Sequence, residues 1–139
     1  MHILDTDTVT HLHAGNEKVG ERLAKTDDSL IAISIVTKVE ILRGRIDFLL
    51  KANDGVLLEK AQRFLLRSEE LLAQIQIVYF DADALTNFEE FRQNSKFRKI
   101  GRNDLLIASI CLANRAVSVT RNVKHFKQFP NLEVVNWVD

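Results

Sequence analysis

The chain has 139 residues, with 19 basic and 19 acidic side chains that give a formal net charge of zero. This balance excludes a strong overall field for nucleic acid or anionic membranes, so an anionic partner must be attracted by a local patch. No apolar run approaches the ~18 residues of a membrane span, and Asp5 interrupts the N-terminus too early for a signal peptide. The lone cysteine, Cys111, cannot form an internal disulfide, which favours a reducing, cytoplasmic setting.

The length suits one domain with one core. The sequence contains no internal repeat, low-complexity tract or Pro/Gly-rich linker, and Pro130 is its one proline. We therefore expect a single domain over residues 1–139.

A short strand is expected to begin at Ile3 and to end before Asp5. Asp7 or Thr8 would cap a short helix, which Gly15 would end. A carboxylate that follows a parallel strand lies where open α/β sheets bind ligands.

Helical spacing predicts a second helix over residues 17–25, and residues 27–29 suggest a turn. The apolar run 30–33 is typical of a strand buried on both faces of a parallel sheet. Ser34 is expected to cap the next helix, with Gly44 as its stop.

The rest of the chain continues the alternation. Residues 47–74 have a helical pattern, Asp81 is a predicted cap for a helix that follows it, and 105–112 is a buried helix. Further strands are expected at 75–80, 116–120 and 132–135. Strands separated by helices predict an α/β fold of three layers, α/β/α, with a central parallel sheet.

Three acids lie in apolar surroundings and are candidates to converge: Asp5, Glu40 and Asp104. Carboxylates gathered around one point are ligands for Mg²⁺ or Mn²⁺. Each acid also has an ordinary interpretation. Asp104 suits a helix N-cap, and Glu40 suits a solvated or ion-paired surface position.

Two further residues are candidate ligands. Asp7 stands two residues after Asp5, where it either joins the acids or caps the helix. Asn122 follows a predicted strand and offers a neutral oxygen to a metal or its water, although asparagine also suits a turn.

Clusters of basic residues adjoin Glu40, Asp104 and Asn122 in sequence. No acid occurs from Phe91 to Asn103, and Arg43 and Arg45 follow Glu40. The residues proposed to hold an anionic substrate are Lys96, Arg98, Lys99, Arg102, Arg121 and Lys124. Such a run is also typical of a solvated face. Phe97 suits core packing better than stacking on a base.

Four ordered segments resemble the motifs of PIN-domain proteins, and in particular the VapC-type toxins of bacterial toxin–antitoxin pairs. They are Leu4–Asp7, Thr37–Gly44, Asp104–Ala108 and Thr120–Phe126. The resemblance covers nearly the whole chain. It implies a metal-dependent ribonuclease with acids at Asp5, Glu40 and Asp104, an RNA substrate, a protein antitoxin and a homodimer.

Two positions depart from the family pattern. The first motif more often reads Asp-Thr-Asn, but here Asp7 is the third residue. The last motif often carries an acid where this chain has Asn122, which removes one charge from the site.

The chemistry agrees with the resemblance, because Mg²⁺ activates water and neutralises charge during phosphodiester hydrolysis. Two alternatives remain: a non-catalytic module that binds RNA or protein, and another metal-dependent phosphoesterase. For an inhibitor, we expect an apolar groove among the early helices that uses Val9, Leu12, Val19 and Leu23 together with part of the middle helices.

Overall fold

A computed structural model describes residues 1–27 and 30–139. Its sheet has five parallel strands, β1 (His2–Leu4), β2 (Ile31–Ser34), β3 (Gln76–Val78), β4 (Val117–Val119) and β5 (Glu133–Val135). The spatial order is β3-β2-β1-β4-β5. The chain therefore builds outwards from β1 in one direction and then in the other, and the crevice between β1 and β4 is the switch point at which such sheets bind ligands.

Seven α-helices and a short 3-10 helix (Ser95–Phe97) accompany the sheet in the described part of the chain. The α-helices are α1 (Thr6–His13), α2 (Glu17–Lys25), α3 (Ile35–Lys51), α4 (Gly55–Gln74), α5 (Ala82–Gln93), α6 (Arg102–Ala113) and α7 (Val123–Phe126). Successive residues of a strand point to opposite faces. Ile3 packs with the apolar side chains of α5 and α6, whereas Leu4 packs with those of α1 to α4. This arrangement confirms the three-layer prediction.

Two predictions of helix ends are wrong. Asp5 itself, not Asp7 or Thr8, caps α1, because its side chain accepts a hydrogen bond from the Thr8 amide. Gly44 lies inside α3, which continues so that Phe48 packs edge-on against Phe64 of α4, with ring centroids 6.0 Å apart. A single glycine costs only about 1 kcal/mol in a helix, so tertiary packing outweighs it.

Other local predictions are confirmed. Helix α2 has the expected bounds, and Ser34 and Asp81 cap α3 and α5. Gly15, at φ +86°, follows the end of α1. Strand β2 begins at Ile31, one residue later than expected. In the predicted turn, Asp28 and Ser29 lie outside the described residues.

The expected apolar groove on the early helices is absent from the described structure. Val9 and Val19 are buried, and Leu12 and Leu23 pack against the same core. The middle helices, the other part of that expectation, do expose apolar side chains: most of the exposed ones lie on α3 and α4, where Leu50 is 76% and Val56 is 80% exposed. Among the described residues no helix is both long and apolar enough to cross a membrane.

Candidate active site

Asp5 lies at the end of β1, facing the switch point. One carboxylate oxygen accepts the Thr8 amide at 2.9 Å, and the other accepts the Thr120 hydroxyl at 2.6 Å. Burial raises the pKa of the Asp5 carboxyl, and these hydrogen bonds act in the opposite direction. The side chain is thus held in one orientation between α1 and the end of β4.

Glu40, on α3, is held from two sides. Its Oε1 accepts the Thr6 hydroxyl at 2.7 Å, and its Oε2 accepts the Asn103 side-chain amide at 3.2 Å. Both donors are neutral side chains, and through them Glu40 joins α3 to α1 and to the start of α6. Glu40 is thus partly buried and hydrogen-bonded rather than freely solvated, and it forms no ion pair with any of the described residues.

Asp104 is the third residue of α6, whose N-cap is Gly101. The prediction that Asp104 could be the N-cap is therefore wrong. No described residue donates a hydrogen bond to its half-buried carboxylate. Burial raises the pKa of Asp104, and the nearby charges of Asp5 and Glu40 raise it further. The fold has therefore brought the three acids within electrostatic range of one another.

The donor chemistry fits a hard divalent cation. Three carboxylates lie within electrostatic range of one another, and among the described residues Asp104 has no hydrogen-bond donor. Within residues 1–27 and 30–139, however, no group of three or more His, Cys, Asp or Glu side chains is placed to hold a metal ion on its own. An ion would therefore need water between it and some acids, as Mg²⁺ commonly retains, or a small movement of the side chains.

Asp7 and Asn122 make other contacts. Asp7 is exposed and lies 3.7 Å from His11 and 3.9 Å from Arg121. The Asn122 side-chain nitrogen lies 2.9 Å from Nδ1 of His125. Arg121, one of the predicted RNA-binding residues, also lies 3.4 Å from Asp139, so it belongs to a surface ion-pair network.

The predicted RNA-binding residues are all exposed: Lys96, Arg98, Lys99, Arg102, Arg121 and Lys124. Arg98 and Arg102 line a cavity of about 690 Å³ between α5 and the start of α6, and Arg102 lies two residues from Asp104. Phe97 is 3% exposed and stacks on Phe129 with centroids 4.8 Å apart. The core-packing interpretation of Phe97 is therefore correct.

Three supporting residues were not predicted from the sequence. Thr6, Asn103 and Thr120 position the carboxylates of Glu40 and Asp5. The sequence offered one signal for these three residues: each lies within two positions of Asp5, Asp104 or Asn122. Which carboxylate each would contact depends on the order of strands and helices in space.

Known proteins resemble this chain in sequence and in fold. The sequence matches the PIN domain family over residues 3–132. Ribonuclease VapC2 of Rickettsia felis is 43% identical over 68 residues, which cover 48% of this chain and about half, 51%, of that protein. Ribonuclease VapC1 of Haemophilus influenzae is 25% identical across 99% of this chain and 98% of its own.

Solved structures extend the likeness to the whole fold. A chain of VapBC2 from Rickettsia felis, bound to a promoter DNA fragment, is 30% identical with a TM-score of 0.75, covering 98% of both chains. A toxin–antitoxin complex from Klebsiella pneumoniae is 21% identical with a TM-score of 0.72, covering 97% of this chain and 96% of that one. The sequence match spans most of the chain and the architecture agrees with it: this chain belongs to the PIN-domain family.

Proposed function

We propose that this chain is a metal-dependent endoribonuclease and the toxin of a toxin–antitoxin pair. The observation that carries the proposal is that Asp5 and Glu40 lie close enough to Asp104 for their charges to raise its pKa. A cation relieves that repulsion. The names of the relatives, Ribonuclease VapC2 and VapC1, support RNA as the substrate.

Asp5, Glu40 and Asp104 would hold Mg²⁺ or Mn²⁺, with Asp7 and Asn122 in or near the ligand set through water. A bound ion of this kind supplies an activated water and neutralises charge on the reacting phosphate. Hydrogen bonds from Thr8 and Thr120 hold the Asp5 carboxylate in place. Hydrogen bonds from Thr6 and Asn103 hold the Glu40 carboxylate. Restricting these rotamers in advance lowers the cost of assembling the site.

RNA would be held by the exposed cations beside the acids: Lys96, Arg98, Lys99, Arg102, Arg121 and Lys124. Phosphate contacts position a strand without reading its sequence. The cavity lined by Arg98 and Arg102 reaches the start of α6, close to Asp104, which suits a strand that approaches the acids from that side. A ribonuclease that acts on cellular RNA would work in the cytoplasm.

An antitoxin would cover exposed apolar surface. The exposed apolar residues of α3 and α4 offer that surface: Val39, Ile46, Leu50, Val56, Leu57, Leu58 and Leu66. Apolar exposure of this kind marks interaction sites. The chain would also form a homodimer, as the resemblance to VapC-type toxins implies. The VapBC2 structure among its neighbours supports an antitoxin as the partner.

Cleavage of RNA with and without Mg²⁺ or Mn²⁺ tests the enzyme. Asp5→Asn and Asp104→Asn should each reduce cleavage at least about 100-fold, because electrostatic stabilisation of the reacting phosphate is lost. Asp83→Asn, an exposed acid in the first turn of α5, is the matched control. Cleavage by both site variants at the wild-type rate would refute the assignment.

Two further measurements separate the alternatives. Release of phosphate from small esters, without RNA cleavage, would select another phosphoesterase. Metal-independent binding of RNA that is never cut would select a non-catalytic module.

A further inference from the structure

A second, smaller pocket lies where α1, α3 and α4 meet. It has a volume of about 300 Å³ and is lined by Thr10, His13, Ala14, Arg45, Phe64 and Arg67. This volume is at the lower limit of pockets that bind small ligands, roughly 300–1,000 Å³. It suits one ring-sized group better than a helix of a protein partner.

Positive charge gathers around an aromatic ring in this pocket. The Arg45 guanidinium lies 5.1 Å and the Lys60 ammonium 5.4 Å from the centroid of Phe64. Within the described chain, none of Arg45, Lys60 and Arg67 forms a salt bridge with an acid. The same positive charges act on His13, whose pKa is lowered by burial and then by the charges of Arg45 and Arg67.

The pocket is connected to the acid cluster along α1 and α3. Thr6, which donates to Glu40, precedes Thr10 by four residues on α1, a rise of about 6 Å. Arg45 follows Glu40 by five residues on α3, about 7.5 Å along that helix. Offsets of about 6 and 7.5 Å along the two helices correspond to about two nucleotides of a strand at ~3.4 Å each.

We propose that this pocket is a subsite for one nucleotide of a single-stranded RNA, separate from the cavity lined by Arg98 and Arg102. The base contacts the Phe64 ring and the Arg45 guanidinium plane, the two kinds of surface on which bases stack. Arg67, which is exposed at the rim, holds a neighbouring phosphate. This subsite rests on the proposed ribonuclease function and extends it from the reacting bond to the path of the strand.

The test measures binding of a short labelled single-stranded RNA in EDTA, followed by cleavage in Mg²⁺. Arg67→Gln should weaken binding by about tenfold through loss of a charged hydrogen bond. The plot of log affinity against log salt concentration should become less steep, its negative slope losing about 0.7 in magnitude. Arg63→Gln is the control, since Arg63 is exposed on the same helix but pairs with Glu59 at 3.2 Å.

Phe64→Leu provides the stacking test and should weaken binding at least about fivefold. Its thermal unfolding is measured alongside, because Phe64 also packs on Phe48. In cleavage, Arg67→Gln should raise KM for long RNA and leave kcat nearly unchanged. A dinucleotide, too short to reach the pocket, should be cut equally by Arg67→Gln and the wild type.

If wild type binds and cuts RNA while Arg67→Gln behaves like Arg63→Gln, the subsite is refuted and the ribonuclease stands. If wild type neither binds nor cuts RNA, both proposals fail together. If Arg67→Gln keeps RNA affinity but loses a co-purified acidic protein, the pocket belongs to that protein and the RNA assignment is overturned.

Discussion

Among single residues, Asp104 bears the clearest electrostatic cost of the acid cluster. Burial and the charges of Asp5 and Glu40 raise its pKa above the ordinary value of 3.8. The folded chain therefore binds this proton more tightly than the unfolded chain does. The contribution of Asp104 to folding stability is most favourable at low pH and is lost as the pH rises from 3.8 through the raised value.

Asp104→Asn removes this titration and should stabilise the metal-free protein at neutral pH. In EDTA, the Tm of wild type relative to the variant should fall as the pH rises from 3.8 through the raised pKa of Asp104. Mg²⁺ should raise the Tm of wild type and have little effect on the variant, because an ion that binds only the folded state stabilises it. Thermal unfolding at several pH values measures both effects. Wild-type and variant Tm values that run in parallel across this range would contradict the electrostatic account.

At the scale of elements, two glycines have opposite roles in neighbouring helices. Gly44 lies within α3 with no atom within 4 Å of where an alanine methyl group would lie, whereas Gly15 has φ +86° just after α1. Gly44→Ala should therefore stabilise the chain by about 0.5–1 kcal/mol. Gly15→Ala should destabilise it by about 1–2 kcal/mol, the cost of left-handed backbone. Denaturant unfolding of both variants checks the signs. A loss of stability in Gly44→Ala would contradict the uninterrupted α3.

The turn between α5 and α6 supplies the proposed phosphate contacts. Neutralising Lys96, Arg98 and Lys99 together should lower the salt slope of RNA binding by about 2, since each lost contact removes about 0.7 for a single strand. The affinity for Mg²⁺ should change little. The matched control neutralises Lys18, Arg22 and Lys25 of α2, which are likewise exposed. Equal slopes for the two triple variants would place the RNA path elsewhere.

At the scale of the whole molecule, the helices leave apolar side chains uncovered on α3 and α4. Leu50 and Val56 are the most exposed of these. A ribonuclease that is toxic to its own cell requires an inhibitor, and apolar surface of this kind is a common docking site for a partner helix. That the chain is a single domain remains a prediction.

Expression of the chain alone should arrest growth, and Asp5→Asn should relieve the arrest. The product of the neighbouring gene should co-purify with wild type and restore growth. Leu50→Lys with Val56→Lys should weaken that association, because a charged side chain opposes burial in an apolar interface. A folded wild type that is harmless and recovers no partner would refute the toxin proposal while leaving the nuclease proposal intact.

The sequence by itself determined the types and most positions of the elements. Buried parallel strands and amphipathic helices have local periodicities, so the strands and the bounds of α2 followed from neighbouring residues. The three acids were also recognisable, because carboxylates beside apolar runs need a partner. Helix ends were predicted less well, since packing can outweigh local signals. Helix α3 continues through Gly44, where an end was expected, and Gly101 rather than Asp104 is the N-cap of α6.

Only the tertiary structure decided how the acids are held. Thr120 donates to Asp5 across 115 residues of sequence, and Asn103 donates to Glu40 across 63. These contacts depend on β4 lying beside β1 and on the start of α6 meeting α3. Local periodicity contains no information about which elements become neighbours. The pocket around Phe64 has the same origin, because α1, α3 and α4 each contribute to it and form it only when packed together.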